Sequence, residues 1–140
     1  MKNLLIFILL FSNSFANNQI AVLKTKIIKD IANILIKKKI IKVYVSDPDF
    51  YDIFHINKHI VKADGPTQAN LILTNNSLKY AKLKNKPCII STNYQDYKNH
   101  TSIDIGAFFW QKGRPNIILN EKMLKQKHIT LPKQYDQYAE

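Results

Sequence analysis

A chain of 140 residues is long enough for one hydrophobic core and too short for two. Its formal net charge is +11, almost all of it from dispersed lysines, and Arg114 is the only arginine. A nucleic-acid interface would gather arginine and aromatic residues on one face, so this composition argues against nucleic acid as a partner. The charge instead fits a solvated surface, or attraction to an acidic partner or to the anionic outer leaflet of an inner membrane.

The first 16 residues have the pattern of an export signal. Lys2 precedes an apolar run over residues 4–11, and Ser14 and Ala16 place small residues where a signal peptidase reads the chain. The run is far shorter than the roughly 20 residues of a membrane-crossing helix. We therefore expect cleavage after Ala16 and a periplasmic mature domain of residues 17–140.

The mature chain alternates helical and strand patterns. Apolar residues at helical spacing from Ile20 to Leu35 predict an amphipathic first helix, and residues 41–45 form the first predicted strand. The other predicted elements are strands at 59–61, 71–73 and 88–90, a loop or short helix at 48–56, a helix at 77–83 and a polar surface loop at 94–101. This alternation predicts a single α/β domain with a mostly parallel sheet flanked by helices.

Residues 103–120 predict a β-hairpin, because two apolar runs flank a turn that contains Gly113. Residues 103, 105, 107 and 109 fall on one face of the first strand, and residues 104, 106, 108 and 110 on the other. Pro115 cannot donate a ladder hydrogen bond, which places the return strand at an edge of the sheet or puts Pro115 at its start. Asn120 is a helix-capping residue, so the hairpin closes the sheet and leads into short helices.

Six segments of the chain also carry a family pattern. They are Ala69-Asn70-Leu71-Ile72-Leu73-Thr74, Pro87-Cys88-Ile89-Ile90-Ser91, Ile105-Gly106-Ala107-Phe108-Phe109, Lys112-Gly113-Arg114, Ile117-Ile118-Leu119-Asn120 and Ile129-Thr130-Leu131-Pro132. In this order they resemble the YfiR/HmsC-like family of small periplasmic regulators. The resemblance implies a non-enzymatic regulator that docks on the periplasmic part of an inner-membrane signalling protein, of the diguanylate cyclase or sensor kinase type.

Polar residues follow three predicted strands at the point where each strand ends. They are Ser46, Asp47, Thr74, Asn75, Ser91 and Thr92. In open α/β sheets ligands bind outside the carboxyl ends of the strands, so these side chains are candidates to bind a small polar ligand. The alternative is that they only cap the turns and helices that begin there.

Aromatic residues of the hairpin provide a second candidate surface. Phe108, Trp110 and Arg114 are of the residue types enriched at interface hot spots, and we expect them to bind a protein partner. The competing interpretation is that Phe108 and Trp110 pack beneath the helices. The oligomeric state is left open, a homodimer included.

Catalytic and metal chemistry find little support in the sequence. His55 and His59 are four residues apart, which would place both rings on one face of a helix, but Pro48 and the pattern of residues 56–61 predict that the helix ends before His59. Cys88 is expected to be a small core residue. Since no nucleophile motif or glycine-rich nucleotide loop occurs, we expect no enzyme, no metal and no cofactor. The alternative function is a small periplasmic solute- or metal-binding protein.

Overall fold

The structure, a computed structural model, describes residues 2–55 and 58–140, with the side chains of residues 18–53 and 58–140. The strands of this part are β1 (Ile41–Val45), β2 (Ile60–Lys62), β3 (Leu71–Thr74), β4 (Cys88–Ser91), β5 (Gly106–Gln111) and β6 (Arg114–Leu119). They form one sheet in the order β2-β1-β3-β4-β5-β6, in which β6 is antiparallel to β5 and all other neighbours are parallel. The predicted α/β class, with its mostly parallel sheet, is confirmed.

The helices connect and flank these strands. They are α1 (Lys2–Leu35), α2 (Tyr94–Asn99) and α3 (Glu121–Gln126), with 3-10 helices at Pro48–His55, Pro66–Gln68, Ser77–Tyr80 and Lys133–Tyr138. The predicted helix at 77–83 is therefore only a short 3-10 helix. Among the described residues, no helix combines the length and the apolar character that crossing a bilayer requires.

Helix α1 supplies the largest apolar surface that packs on the sheet. Its buried side chains lie at Ala21, Thr25, Ile28, Ile31, Ala32, Ile34 and Leu35. Ile28, Ile31, Ala32 and Leu35 pack with the β1, β3 and β4 residues of the main core, which confirms the predicted amphipathic helix. Ile20 and Leu23, which helical spacing also assigns to the apolar face, are instead 38% and 39% exposed. The buried positions of these first turns are Ala21 and Thr25, so Ile20 and Leu23 flank the buried face.

The opposite face of the sheet is covered more thinly. Ile72 and Ile89 pack there with Tyr80, and a separate cluster joins Tyr97 of α2 to Ala107 and Phe109 of β5. The prediction of a surface loop at 94–101 is wrong. In this six-residue helix Tyr97 is buried, with its side chain 2% exposed, and the other five residues are polar or end in a polar group. A sequence with so many polar residues resembles a surface loop.

The predicted hairpin is confirmed, with β5 and β6 joined at Lys112 and Gly113. Gly113 has a φ of 72° and Lys112 a φ of 53°, so both lie in the left-handed region that a tight turn uses. Pro115 pairs with Trp110 and lies in β6, an edge strand of the sheet. Its missing N–H therefore does not interrupt the hydrogen bonds between central strands. Side chains alternate as predicted, with Phe108 on the α1 side and Ala107 and Phe109 on the α2 side.

Candidate functional site

The six strand-end residues lie along one edge of the sheet, because β1, β3 and β4 are adjacent and parallel. Two cross-strand hydrogen bonds join four of them. The Ser46 hydroxyl donates to Thr74 Oγ1 at 2.8 Å, and the Thr92 hydroxyl donates to Asp47 Oδ2 at 2.7 Å. Thr74 Oγ1 also accepts from the backbone N–H of Asn76. These side chains therefore join the ends of neighbouring strands to one another, and Thr74 also holds the turn at Asn76.

The other two strand-end residues do not join this arrangement. Ser91 is fully buried and its hydroxyl lies 2.7 Å from Asp96 Oδ2 and 2.9 Å from the carbonyl of Asn93. Asn75 is exposed. Asp47 and Thr92 both line the cleft described next, and the assignment of the six residues to a ligand stays a prediction.

The cleft has a volume of about 310 Å³ and lies between α1, the 3-10 helix Pro48–His55 and the end of β5. We call it the carboxyl-edge cleft, and its lining residues are Ile20, Lys24, Asp47, Asp49, Phe50, Thr92 and Trp110. It thus combines two residues predicted to bind a ligand with one residue predicted to bind a partner. The sequence placed them in separate candidate sites, and the fold brings them to one.

Lys24 is the centre of this cleft, and the sequence interpretation missed it. Its ammonium donates to the carbonyl oxygen of Asp49 at 2.6 Å and lies 3.9 Å from Asp52 Oδ2. The same ammonium stands 5.2 Å from the centroid of the Phe50 ring and 5.9 Å from that of Trp110, within cation–π range of both. A signal existed in the sequence, because Lys24 interrupts the apolar positions of α1 one turn after Ile20.

Phe108 lies beneath the rings of Phe50 and Trp110, which together form the aromatic wall of the cleft. It is fully buried, with its ring 5.4 Å from that of Phe50 and 5.8 Å from that of Trp110. Phe108 therefore cannot contact a partner directly, which corrects its assignment to the partner surface. Its alternation toward α1 puts it in the main core, and it supports Trp110 from below. Trp110 is only partly buried, and Arg114 is exposed beyond the turn.

A second polar cluster lies where β4 and α2 meet, and it was not predicted. Both oxygens of Asp96 accept from the backbone N–H of Ser77, Oδ2 also accepts from the Ser77 hydroxyl at 2.7 Å, and His100 Nδ1 lies 3.0 Å from Oδ1. Burial alone would raise the pKa of Asp96, but these hydrogen bonds, with that of Ser91, hold the pKa below its ordinary value.

Asp104 lies in the same cluster with neither carboxyl oxygen hydrogen-bonded to a described residue. The nearby Ser77 hydroxyl has one proton, and it donates that proton to Asp96. Burial raises the pKa of Asp104 to about 7, and the negative charge of Asp96 adds to the rise, while Ser77 and His100 oppose it. Asp104 is therefore a buried acid that titrates near neutral pH.

The predicted histidine pair, His55 and His59, lies partly outside the described residues. The side chain of His55 and residues 56 and 57 lie outside the described part, and the 3-10 helix ends at His55, before His59. Among the described side chains, no group of three or more His, Cys, Asp or Glu is arranged to hold a metal ion. Cys88 is buried as predicted, and burial raises the pKa of its thiol, while Lys127 acts in the opposite direction.

Comparison with known proteins adds support for the fold. No family model matches the chain, and no curated protein matches it. The structure is similar to the crystal structure of a conserved domain protein from Vibrio cholerae O1 biovar eltor, with a TM-score of 0.54 at 12% sequence identity. The match covers 83% of this chain and 58% of that one, so this chain spans a little over half of its length. At this identity the likeness concerns the fold alone.

Proposed function

We propose that this chain is an exported, non-enzymatic regulator that docks on the periplasmic part of an inner-membrane signalling protein, of the diguanylate cyclase or sensor kinase type. The docking face would be Ile20, Leu23 and Trp110, at the mouth of the carboxyl-edge cleft, with Arg114 beyond the hairpin turn. The predicted export signal over residues 1–16 and the resemblance to YfiR/HmsC-like regulators support the location and the class of partner.

The observation that carries the proposal is the exposure of apolar side chains over residues 20–23 of α1. Ile20, Leu23 and Val22 are 38%, 39% and 50% exposed although the buried face of the same helix runs beside them. Ile20 lines the cleft with Trp110, and Leu23 is its neighbour one turn along. Exposed apolar side chains next to a partly exposed tryptophan are of the kind found at protein interaction sites, and Ile20 and Leu23 share this side of the helix.

The aromatic wall of the cleft would make this face rigid before binding. Lys24 joins α1 to the backbone of the 3-10 helix through Asp49 and lies over the rings of Phe50 and Trp110. A side chain already held in its bound position loses less conformational entropy on association. Trp110 then has the properties of an interface anchor, partly open to solvent above and supported by Phe108 below.

Co-purification of tagged mature protein with solubilised inner membranes tests the proposal. Trp110→Ala and Arg114→Ala should each weaken binding to the captured membrane protein by about 1 kcal/mol or more. Ile20→Lys is a second variant that places a charge on the docking face without removing a core side chain.

Leu78→Ala is the matched control, because Leu78 is 63% exposed and does not line the cleft. Thermal stability is measured beside affinity for each variant. Loss of stability with unchanged affinity in Trp110→Ala and Ile20→Lys would mean that the hairpin and α1 serve the core only, and would contradict the proposal.

Small-solute binding is the second candidate, favoured by the volume of the cleft and the polar groups of Lys24, Asp47 and Thr92 in its wall. Native mass spectrometry of protein released from the periplasm would then show an added small molecule, and Lys24→Met would abolish it. The same added mass in Lys24→Met, or none in either protein, would count against a solute in this cleft.

A further inference from the structure

The opposite, amino edge of the sheet carries a long groove that neither candidate site includes. One part, of about 740 Å³, lies between the end of α1 and the segment after α3. A second part, of about 420 Å³, continues from it toward residues 67–70 and 85–88. Both parts are lined by Leu35, Lys37 and Cys88, so they form one surface, which we call the amino-edge groove.

The charged side chains that line the groove are all basic. Lys37, Lys38, Lys86 and Lys127 line it with His128, and no acidic side chain is among the described residues of its walls. All four lysines are exposed, and none forms an ion pair with a described residue. The positive potentials of these four ammonium groups add within the groove, so the groove attracts anions.

Helix dipoles explain only part of this charge. Lys37 follows the end of α1 and Lys127 follows α3, where a cation complements the negative helix end. Lys86 caps no helix, since it precedes β4, and its backbone is left-handed with a φ of 47°. His128, on the other wall, has a φ of 56°. Such conformations in residues other than glycine cost free energy, and they tend to occur at functional sites.

The floor of the groove is apolar rather than charged. Leu35, Pro87 and Cys88 are buried there, and Ile129 is partly exposed at the side. A cationic rim above an apolar floor is complementary to an extended polypeptide that carries both carboxylates and aliphatic side chains. A bilayer surface is planar and cannot follow the concavity, so a lipid headgroup layer would meet the rim lysines but not the floor.

We propose that the amino-edge groove binds an acidic, extended segment of a partner protein. This assigns the chain a second interaction surface, at the edge of the sheet opposite to the docking face of Ile20, Leu23 and Trp110. The binding depends on the charges of the rim lysines and weakens as salt rises, since exposed charges are screened.

A fluorescein-labelled peptide of alternating glutamate and valine is the probe, because it carries both carboxylates for the rim and aliphatic side chains for the floor, and its binding to the mature protein is measured by fluorescence anisotropy. The groove variant is Lys37→Glu combined with Lys127→Glu. Its matched control is Lys62→Glu combined with Lys82→Glu, which changes the net charge equally at exposed lysines outside the groove. We expect the dissociation constant to rise by about tenfold or more in the groove variant and by about twofold or less in the control.

Three results would overturn the proposal. Equal losses in the two double variants would mean that the peptide responds to net charge alone. Absence of peptide binding together with binding to phosphatidylcholine–phosphatidylglycerol vesicles would assign the groove to a membrane surface, and no binding to either probe would leave it without an anionic ligand. If Lys37→Glu with Lys127→Glu does not fold, Lys37→Gln with Lys86→Gln replaces it, and unchanged affinity in that variant contradicts the proposal.

Discussion

Asp104 shows at the scale of one residue how the fold changes chemistry that the sequence does not reveal. It lies one residue before the buried Ile105 at the start of the hairpin strand, in a position where burial, rather than charge pairing, sets its protonation. Its ordinary pKa of 3.8 is raised to about 7, so the folded protein retains a proton that the unfolded chain releases. Linkage therefore makes the free energy of unfolding depend on pH.

The first prediction concerns Asp104→Asn. The contribution of the protonated Asp104 to stability is complete below about pH 4 and is lost as pH rises toward its folded pKa of about 7. Urea unfolding at pH 5 and pH 8 should show the wild-type protein losing on the order of 3 kcal/mol relative to Asp104→Asn, whose amide does not titrate.

Asp64→Asn is the control for this measurement, because Asp64 is exposed and follows β2, which β1, β3 and β4 separate from β5. It should keep the wild-type pH profile. Asp96, whose pKa is lowered, acts in the reverse sense, and its stabilisation is lost as pH falls below its ordinary value. A profile in Asp104→Asn that parallels the wild type between pH 5 and 8 would contradict the assignment of the titration to Asp104.

At the scale of single residues, the side-chain positions that could be predicted were those that the sequence pattern encodes. Alternation along β5 correctly separated Phe108 from Phe109, because it depends only on the period of a strand. The same alternation does not tell whether a face is covered, so the sequence left open whether Phe108 meets a partner or packs beneath the helices, and the structure shows it buried. Asp47 and Thr92 were placed near one another by strand order, whereas Lys24 comes from a helix distant in sequence and joins them only through packing.

Gly106 shows at the scale of the element why the hairpin needs one particular glycine. A Cβ atom added there would collide with the backbone carbonyl oxygen of Ile118 on β6, its diagonal neighbour across the strand pair. Backbone atoms in a paired strand cannot move aside as a flexible side chain can. The β5–β6 pairing therefore depends on the absence of a side chain at this position.

The second prediction follows from that contact. Gly106→Ala should lower the free energy of unfolding by roughly 2 kcal/mol or more, because the strands must separate locally to admit the methyl group. Chemical denaturation measures the change. Gly65→Ala is the control, since its added Cβ would meet open space and should leave stability nearly unchanged. Equal stability of the two variants would show that β5 and β6 are not packed this closely.

Asn120 connects three elements, and its removal is the third prediction. Its Oδ1 accepts from Met123 N–H as the cap of α3, and its Nδ2 donates to the carbonyls of Thr101 and Asp104 at 2.7 and 3.0 Å. Asn120→Ala leaves all three groups without their partner and should cost about 2–3 kcal/mol. Asn99→Ala, at an exposed position, should cost much less, and a similar loss in both would contradict the bridging role.

Secondary-structure elements with a long apolar pattern were predicted correctly, and elements with a short pattern were missed. The capping Asn120 and the hairpin were recognised, because apolar alternation and turn residues define them locally. Helix α2 has six residues with one buried ring, Tyr97, and so few residues give no period that differs from a loop. The exposure of Ile20 and Leu23 could not be foreseen, because their spacing fits the buried face as well as the flank.

At the scale of the whole molecule, the two edges of the sheet differ in charge. The carboxyl edge carries Asp47 and Asp49 around Lys24, while the amino edge carries lysines without acidic neighbours in its groove. Composition predicts the sign of the net charge of +11, and the topology of the sheet brings four of the lysines, Lys37, Lys38, Lys86 and Lys127, to one edge.

Export is the fourth prediction and concerns the entire chain. Leu9→Lys breaks the apolar core of the predicted signal, and precursor should then accumulate inside the cell, because a charged side chain opposes entry of that segment into the membrane. Fractionation with N-terminal sequencing of the mature protein measures the result. Lys26→Leu, beyond the predicted cleavage position, is the control. Mature protein beginning at Asn17 in the periplasm at the wild-type level despite Leu9→Lys would contradict the signal.

The central claim is that Trp110 contacts a membrane signalling protein, and photo-cross-linking from position 110 in living cells tests it most directly. A benzoylphenylalanine at 110 keeps an aromatic ring over Phe108, and the same residue at the exposed position 78 is the control. The account predicts a cross-link from position 110, and not from 78, to an inner-membrane protein with a periplasmic domain. No cross-link from 110, or the same products from both positions, would contradict it.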